Sequence, residues 1–495
     1  MTSPAGVPVE EVLAELARRR AADVPTHGGH VLSYVYDSGL AELDDLAARA
    51  AAAVQPVNGL DPTVFGSVAS MERDLIAFAR TAFHAPDAAG SVTSGGTESC
   101  ILAVKAARDH AGVAPGRGAI VLPSTAHAAF DKAARLLGVR AVRVPVNPES
   151  TEVDVDAVAS AIDDDTFLLV ASAPNYPTGA LDPIAELGAL AVERGLPLHV
   201  DACLGGFALP WWPSPLPDWD FRVPGVASLS ADFHKYGYAP KGASIVLHRD
   251  RDRHRAGYFA TTSWPGYPIV NPTLLGSRSA AGLASAWAIT RHLGTSGFAP
   301  LVGKIAAAAD ALIDAVGAID GLCVVGRPRG PVFSVIADAS TPTPIDPHRW
   351  AAAVGARGFT LQPQPSYTQA DGTVLAASTH LTVTPVTATV LDDLHAALVD
   401  AADEARGLPA AAPPEALAAL AGAFDAGQIS VDDALALPSE ATAAALAGAG
   451  IDPAVDPADG SGLDLPAVLA AIEALPRPVT AKMLTEFLAS YTNPV

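Results

Sequence analysis

Lys235 lies in the run Ser230-Ala-Asp-Phe-His-Lys-Tyr-Gly-Tyr-Ala-Pro-Lys-Gly242 and is one of six lysines in a chain of 495 residues. His234, Tyr236 and Tyr238 around it favour burial. Desolvation lowers an ammonium pKa toward the neutral amine that Schiff-base chemistry requires. Thirty-four positions earlier, the apolar run Leu198-His-Val-Asp201 ends in an acid. A carboxylate at a strand end in an open α/β sheet faces the usual ligand crevice, where it can keep a pyridine nitrogen protonated. The same aspartate can equally cap the helix that follows.

Ser94-Gly-Gly-Thr-Glu-Ser99 opens a helix after a strand-like segment. Gly95 and Gly96 permit close backbone approach, the first helical amides attract a phosphate, and Thr97 adds a hydroxyl. The alternative is a tight turn with Thr97 as its cap. It is not a Walker loop, because no lysine here precedes Ser or Thr. His127, near another helix start, can stack on a flat ring or sit at the surface. In chain order, phosphate turn, stacking histidine, strand-end acid and lysine meet the needs of pyridoxal 5′-phosphate (PLP). Cys100, Cys203 and Cys323 are too scattered for a zinc ribbon or a disulfide framework, so no metal is expected. The chain has no G-x-S-x-G, which sets aside a serine hydrolase.

The elements that must position these groups follow from periodicity. Residues 1–57 predict two alanine-rich helices, near 8–23 and 39–54, with Tyr34 and Tyr36 in the loop between them. From 58 to 295, short apolar runs alternate with helical stretches. Strands are expected at Ala119–Leu122, Ala141–Val146, Thr166–Ala171, Leu198–Val200, Ser228–Ser230 and Ser244–Leu247. That alternation predicts an α/β domain with a mostly parallel sheet covered on both faces. Long helices near 277–294 and 298–318 lead into a smaller α+β domain, residues 296–407, with strands near 332–337 and 380–384. Residues 408–495, rich in Ala and Pro, predict a helical extension that is partly linker.

Half the residues are hydrophobic, enough to fill a large core, and the net charge is −22. A surface this acidic disfavours nucleic acid as a partner. No stretch is apolar enough to span a bilayer and no secretory leader is evident, so a cytoplasmic location is expected.

Four runs carry a resemblance to a known family: Ala126-His-Ala-Ala-Phe-Asp-Lys-Ala-Ala134, Pro197-Leu-His-Val-Asp-Ala-Cys-Leu-Gly-Gly-Phe207, Ser230–Gly242 and Leu275-Gly-Ser-Arg278. The chain resembles fold-type I PLP enzymes of the group II decarboxylase superfamily, closest to the sphingosine-1-phosphate lyases, over roughly residues 28–390. The resemblance implies an aspartate aminotransferase-like PLP-dependent transferase fold. It implies that Lys235 forms the Schiff base, Asp201 pairs with the pyridine nitrogen, and His127 stacks on the ring with Cys203 near its other face. Gly95, Gly96, Thr97 and His234 would hold the phosphate. Ser277 would reach the cofactor of a neighbouring subunit, which implies a homodimer with shared sites. Lys241 would lie close to the substrate, and Tyr34 or Tyr36 would close over it.

One departure bears on the substrate. The lyases carry a histidine that faces the substrate phosphate, and Asn58-Gly-Leu-Asp-Pro62 places Asp61 there. A carboxylate repels a phosphate dianion, so a non-phosphorylated amine or amino acid is expected. The expected reaction is carbon–carbon cleavage, by retro-aldol or by decarboxylation. An aminotransferase on the same fold is the alternative; it needs an arginine clamp for an α-carboxylate, for which Arg349 and Arg357 are the candidates.

Overall fold

The computed structural model describes residues 6–451 and 464–492, so part of the C-terminal extension lies outside the described residues. Seven strands form the central sheet: β1 (Ala89–Thr93), β2 (Ala119–Pro123), β3 (Arg140–Val144), β4 (Thr166–Ser172), β5 (Leu198–Asp201), β6 (Val226–Ala231) and β7 (Ser244–His248). Their order is β1-β7-β6-β5-β4-β2-β3. Strands β2 to β6 pair in parallel, whereas β7 runs antiparallel to both β6 and β1. Strands such as Ala-Ile-Val-Leu-Pro of β2 are buried along their whole length, as expected for strands covered on both faces. The C-terminal ends of β1, β2, β4, β5 and β6 therefore open on one edge of the sheet, where an open α/β sheet binds its ligands.

A helix of 37 residues, Ala281–Gly317, leads out of this domain. It is broken at Gly294 (φ 56°, ψ −174°), a left-handed conformation that glycine adopts without steric cost. The break falls between the two helices expected from the sequence. Beyond it stands an antiparallel sheet of β10 (Leu322–Val324), β11 (Val332–Ala337), β12 (Gln362–Gln364) and β15 (Ser378–Thr382), in the order β10-β11-β15-β12. Two small hairpins complete the strands: β8 (Phe259–Thr261) with β9 (Ile269–Asn271), and β13 (Tyr367–Thr368) with β14 (Val374–Leu375).

The N-terminal segment is tied to the smaller sheet rather than lying loose. Leu32 donates to Thr360 O at 2.8 Å and accepts from Thr382 N at 2.8 Å. That strand-like attachment fixes where Tyr34 and Tyr36 emerge. The extension contains five helices among the described residues, beginning with Glu415–Asp425 and ending with Leu465–Ala474 and Arg477–Ser490. They enclose a separate apolar cluster that includes Leu417, Leu446, Leu475 and Met483. Among the described residues, no helix is long and apolar enough to cross a membrane.

Three buried histidines make the fold sensitive to acid. Burial pushes His199 down to about 4, and His248 and His380 down to about 3. Unfolded, each protonates near about 6.5, so below that pH the unfolded chain binds protons that the folded chain refuses. Stability therefore falls as pH drops through this window, and the loss levels off near the folded values. Asp182, pushed up to about 7 by burial, opposes one histidine's share of the loss. The melting temperature should thus be lower at pH 5 than at pH 7. His199→Gln, whose amide can still meet Ser228 and Ser230, should shrink that difference in differential scanning calorimetry.

Candidate active site

Five strand ends converge on a cavity of about 420 Å³ lined by Ser94, Gly95, Gly96, Thr97, Glu98, Cys100, His127, Tyr176, Asp201, Cys203, Asp232, His234 and Lys235, among others. Its first wall is the turn after β1. Glu98 folds back to accept from Ser94 N and Oγ at 2.7 and 2.6 Å, and from Leu274 N at 2.7 Å. The helix Gly96–His110 that follows has no side-chain cap, so its first amides remain open to an anion. Gly96 is required by close approach. A Cβ there would lie 2.8 Å from Asp232 Oδ2 and from Cys203 Sγ.

Asp201 ends β5 and is buried. It accepts from Cys203 N at 3.0 Å and Ser230 Oγ at 3.3 Å, with Cys100 Sγ at 3.9 Å. The bond to Cys203 N is a local turn bond, so the aspartate shapes the chain and presents a carboxylate to the cavity at once. His127 accepts from Ala129 N through Nδ1 at 3.1 Å and faces the open cavity. That bond leaves the proton on Nε2 and fixes the ring at a helix start.

The lysine has a partner that reading the sequence did not single out. Asp232, three residues before it, is buried with its carboxylate 3.0 Å from Lys235 Nζ and 3.3 Å from His234 Nε2. The i,i+3 spacing was the available signal. Burial by itself would raise the Asp232 carboxyl, but Lys235 and His234 hold it well below the usual carboxylate range. For Lys235, burial is the largest single influence and pulls its pKa down. Asp232, followed by the other groups around it, outweighs burial and holds the ammonium well above its ordinary value. The expected lowering is therefore reversed: desolvation is present, but a carboxylate in contact overrides it. His234 accepts from Ala243 N at Nδ1 (3.3 Å), which points Nε2 at Asp232 beside the Gly95 turn.

Two expected residues stand next to the cavity. Burial pushes the Tyr36 phenol up to about 12, with the charge of Lys235 opposing. Lys241 Nζ lies 4.6 Å from the centre of the Tyr36 ring. Solvent reaches this amine, yet crowding by protein and then the charge of Lys235 lower it to about 8. Tyr34 adopts a left-handed backbone (φ 56°) and lines a neighbouring pocket instead.

Two others are not brought to this cavity. Asp61 is exposed, accepts from Thr63 N and Oγ1, and lines a separate groove with Asn58 and Arg278. The expected place of Asp61 beside the substrate is not met within this chain, because Asp61 is spent on the turn that starts the helix Gly66–Ala82. Ser277 is exposed beside that groove.

A family model described as the pyridoxal-dependent decarboxylase conserved domain matches residues 66–320. The chain belongs to the pyridoxal-dependent decarboxylase family. Among curated relatives, a sphingosine-1-phosphate lyase of Dictyostelium discoideum is 41% identical over 285 residues, covering 57% of this chain and 54% of the relative. Sphingosine-1-phosphate lyase 1 of Rattus norvegicus is 38% identical over 368 residues, covering 72% and 63%. This chain thus spans between half and two thirds of the length of these relatives. The solved structure of a sphingosine-1-phosphate lyase from Burkholderia pseudomallei superposes with a TM-score of 0.76 at 33% identity, covering 86% of this chain and 95% of that one.

The family's cofactor is PLP, and the cavity fits it. The uncapped amides at Gly96 and Thr97 suit its phosphate, Asp201 suits its ring nitrogen, and Lys235 suits its aldehyde. Asp232 Oδ1, buried and without a hydrogen-bond partner among the described residues, marks the cavity as built for a polar occupant. If the Asp232 carboxylate is what keeps Lys235 protonated, then cofactor loading of the stripped enzyme should accelerate as pH rises. Asp232→Asn should shift that profile to lower pH, as followed by absorbance of the bound cofactor.

Proposed function

We propose that the protein is a PLP-dependent carbon–carbon lyase acting on a small amine or amino acid, by retro-aldol cleavage or by decarboxylation. The observation that carries this reading is Lys235 in the same cavity as Asp201 and an uncapped helix N-terminus. PLP, when bound, supplies an electron-accepting ring that takes up the electron pair of the bond broken next to the amine. The protein's part is to position and to hold charge. The Asp201 carboxylate, fixed by Cys203 N and Ser230 Oγ, stabilises a proton on a ring nitrogen. The helix N-terminus at Gly96 suits a dianion, with His234 in the same cavity. Lys241 Nζ, lowered to about 8, can take or return a proton near neutral pH.

The aminotransferase alternative lacks its clamp. Arg349 Nε donates to Pro409 O at 2.6 Å, and Arg357 pairs with Glu404 at 2.9 Å; neither lines the cavity.

A homodimer with shared sites belongs to the same reading. The hairpin β8–β9 and the segment after it expose Phe259, Trp264, Tyr267, Val270, Leu274 and Leu275, a patch that favours burial against a second copy. Asp61 and Ser277 sit on or beside the adjoining groove, so any role for them in substrate or phosphate binding rests on that pairing. A non-phosphorylated substrate and a cytoplasmic location complete the reading.

Borohydride reduction followed by peptide mapping should place a phosphopyridoxyl group on Lys235. Lys235→Ala should abolish both adduct and turnover, and Asp201→Asn should lower kcat by about a hundredfold or more. An unmodified Lys235 in active enzyme would sink the reading. Release of carbon dioxide or of an aldehyde then separates the two reactions. Val270→Asp should convert a dimer to monomers in sedimentation experiments and lower activity with it; a wild-type monomer of full activity would refute the shared site.

A further inference from the structure

A second pocket, of about 540 Å³, adjoins the cofactor cavity, and Tyr176 lines both. None of the residues lining this second pocket carries a charge. The cofactor cavity, by contrast, holds Glu98, Asp201, Asp232 and Lys235. Several polar side chains of the second pocket are bonded to the protein itself, whereas Thr125 Oγ1 is buried without a hydrogen-bond partner among the described residues. Gln364 Nε2 donates to Pro177 O at 2.8 Å and Ser378 Oγ at 3.0 Å, and Thr178 Oγ1 bonds Asn175 Oδ1 at 2.9 Å and Thr151 Oγ1 at 2.7 Å. Beside Thr125, a ligand would meet Val325, Ile336, Pro363, Pro365, Tyr367 and Leu375. Phosphate and carboxylate recognition calls for arginine, lysine or free amides, and the pocket's side chains supply no such cation. An uncharged, largely apolar wall favours an uncharged, largely apolar guest.

The far wall of this pocket is the hairpin β13–β14, and the C-terminal extension grips it. Glu473 accepts from Ser366 N at 2.7 Å. The Arg477 guanidinium lies 4.1 Å from the centre of the Tyr367 ring, and its Nη2 donates to Thr368 O. A two-residue-per-strand hairpin has little stability of its own, so these contacts decide where Tyr367 and Leu375 stand.

We propose that this pocket receives an uncharged, apolar arm of the substrate, aromatic or branched alkyl, and that Glu473 and Arg477 are positioning residues that set its width. The inference rests on the lyase reading and adds the substrate class to it. The substrate amine reaches toward Lys235 while its side chain lies past Tyr176, between the small-domain sheet and the braced hairpin.

The test uses the holoenzyme and four probes: L-phenylalanine, L-leucine, L-aspartate and O-phosphoethanolamine. Each is titrated while the absorbance of the bound cofactor is followed. The two apolar probes should bind at least about tenfold more tightly than the two anionic ones, the scale on which a few buried methylenes discriminate. Arg477→Ala should weaken only the apolar probes, by about tenfold. Tyr367→Ala, which leaves the extension's own core untouched, should do the same; circular dichroism reports whether each variant is folded. Anionic probes that bind as well or better, apolar probes that give no response, or variants that shift all four probes equally or none would overturn the proposal. If Lys235 carries the reduced adduct and substrate is cleaved without this preference, the pocket assignment alone fails. If the adduct is absent, the lyase reading fails first.

Discussion

Burying a carboxylate is costly unless a cation and hydrogen bonds compensate it, and the active-site cavity is arranged around that requirement at Asp232. Its partners, Lys235 and His234, are the next residues but one or two in the chain, so a single turn after β6 fixes all three. The geometry then propagates outward. Gly96 must lack a side chain because Asp232 and Cys203 occupy the space, and the absent side chain is what brings the helix N-terminus to the cavity. Parallel β5 and β6 set Asp201 beside this turn. Three carboxylates (Glu98, Asp201 and Asp232) and one ammonium leave the cavity short of positive charge. A protonated pyridine ring is a complementary guest on electrostatic grounds alone.

The parts of the site legible in the sequence were those with local signatures. A strand ending in Asp201, a glycine turn opening a helix, and a lysine among aromatics each read correctly because short-range pattern fixes short-range structure. Asp232 escaped notice although it lies in the same run as Lys235. Nothing in the run says which way an aspartate in a turn faces, and that direction reversed the expected shift of the lysine. The fold shows the same division. The buried strands of the central sheet are continuous apolar runs, whereas β10 and β12 span three residues each and β12 reads Gln-Pro-Gln. Their pairing is set by β11 and β15, not by their own composition. The helices of the extension are short and alanine-rich, and their common apolar cluster emerges only in three dimensions.

Charge is distributed unevenly between the two adjoining pockets. Carboxylates, histidines and Lys235 cluster in the first cavity, and the neighbouring pocket is lined without charged groups. The family-matched segment supplies the first set. Much of the second comes from the small domain and from a hairpin held by residues beyond it. The lining of the second pocket can therefore change outside the matched segment without disturbing the Asp232–Lys235 pair.

The attachment of Leu32 to Thr360 and Thr382 has a temporal consequence. These bonds join Leu32 to residues more than three hundred positions later in the chain, so they cannot form until those later residues have been made. The grip of Glu473 and Arg477 on the β13–β14 hairpin comes later still. The residues from Ser94 to Lys235 that line the cavity are all made before either tie is available. The floor of the cavity can be laid during translation, whereas its surroundings are tied later, first to the four-stranded sheet and then at the β13–β14 hairpin.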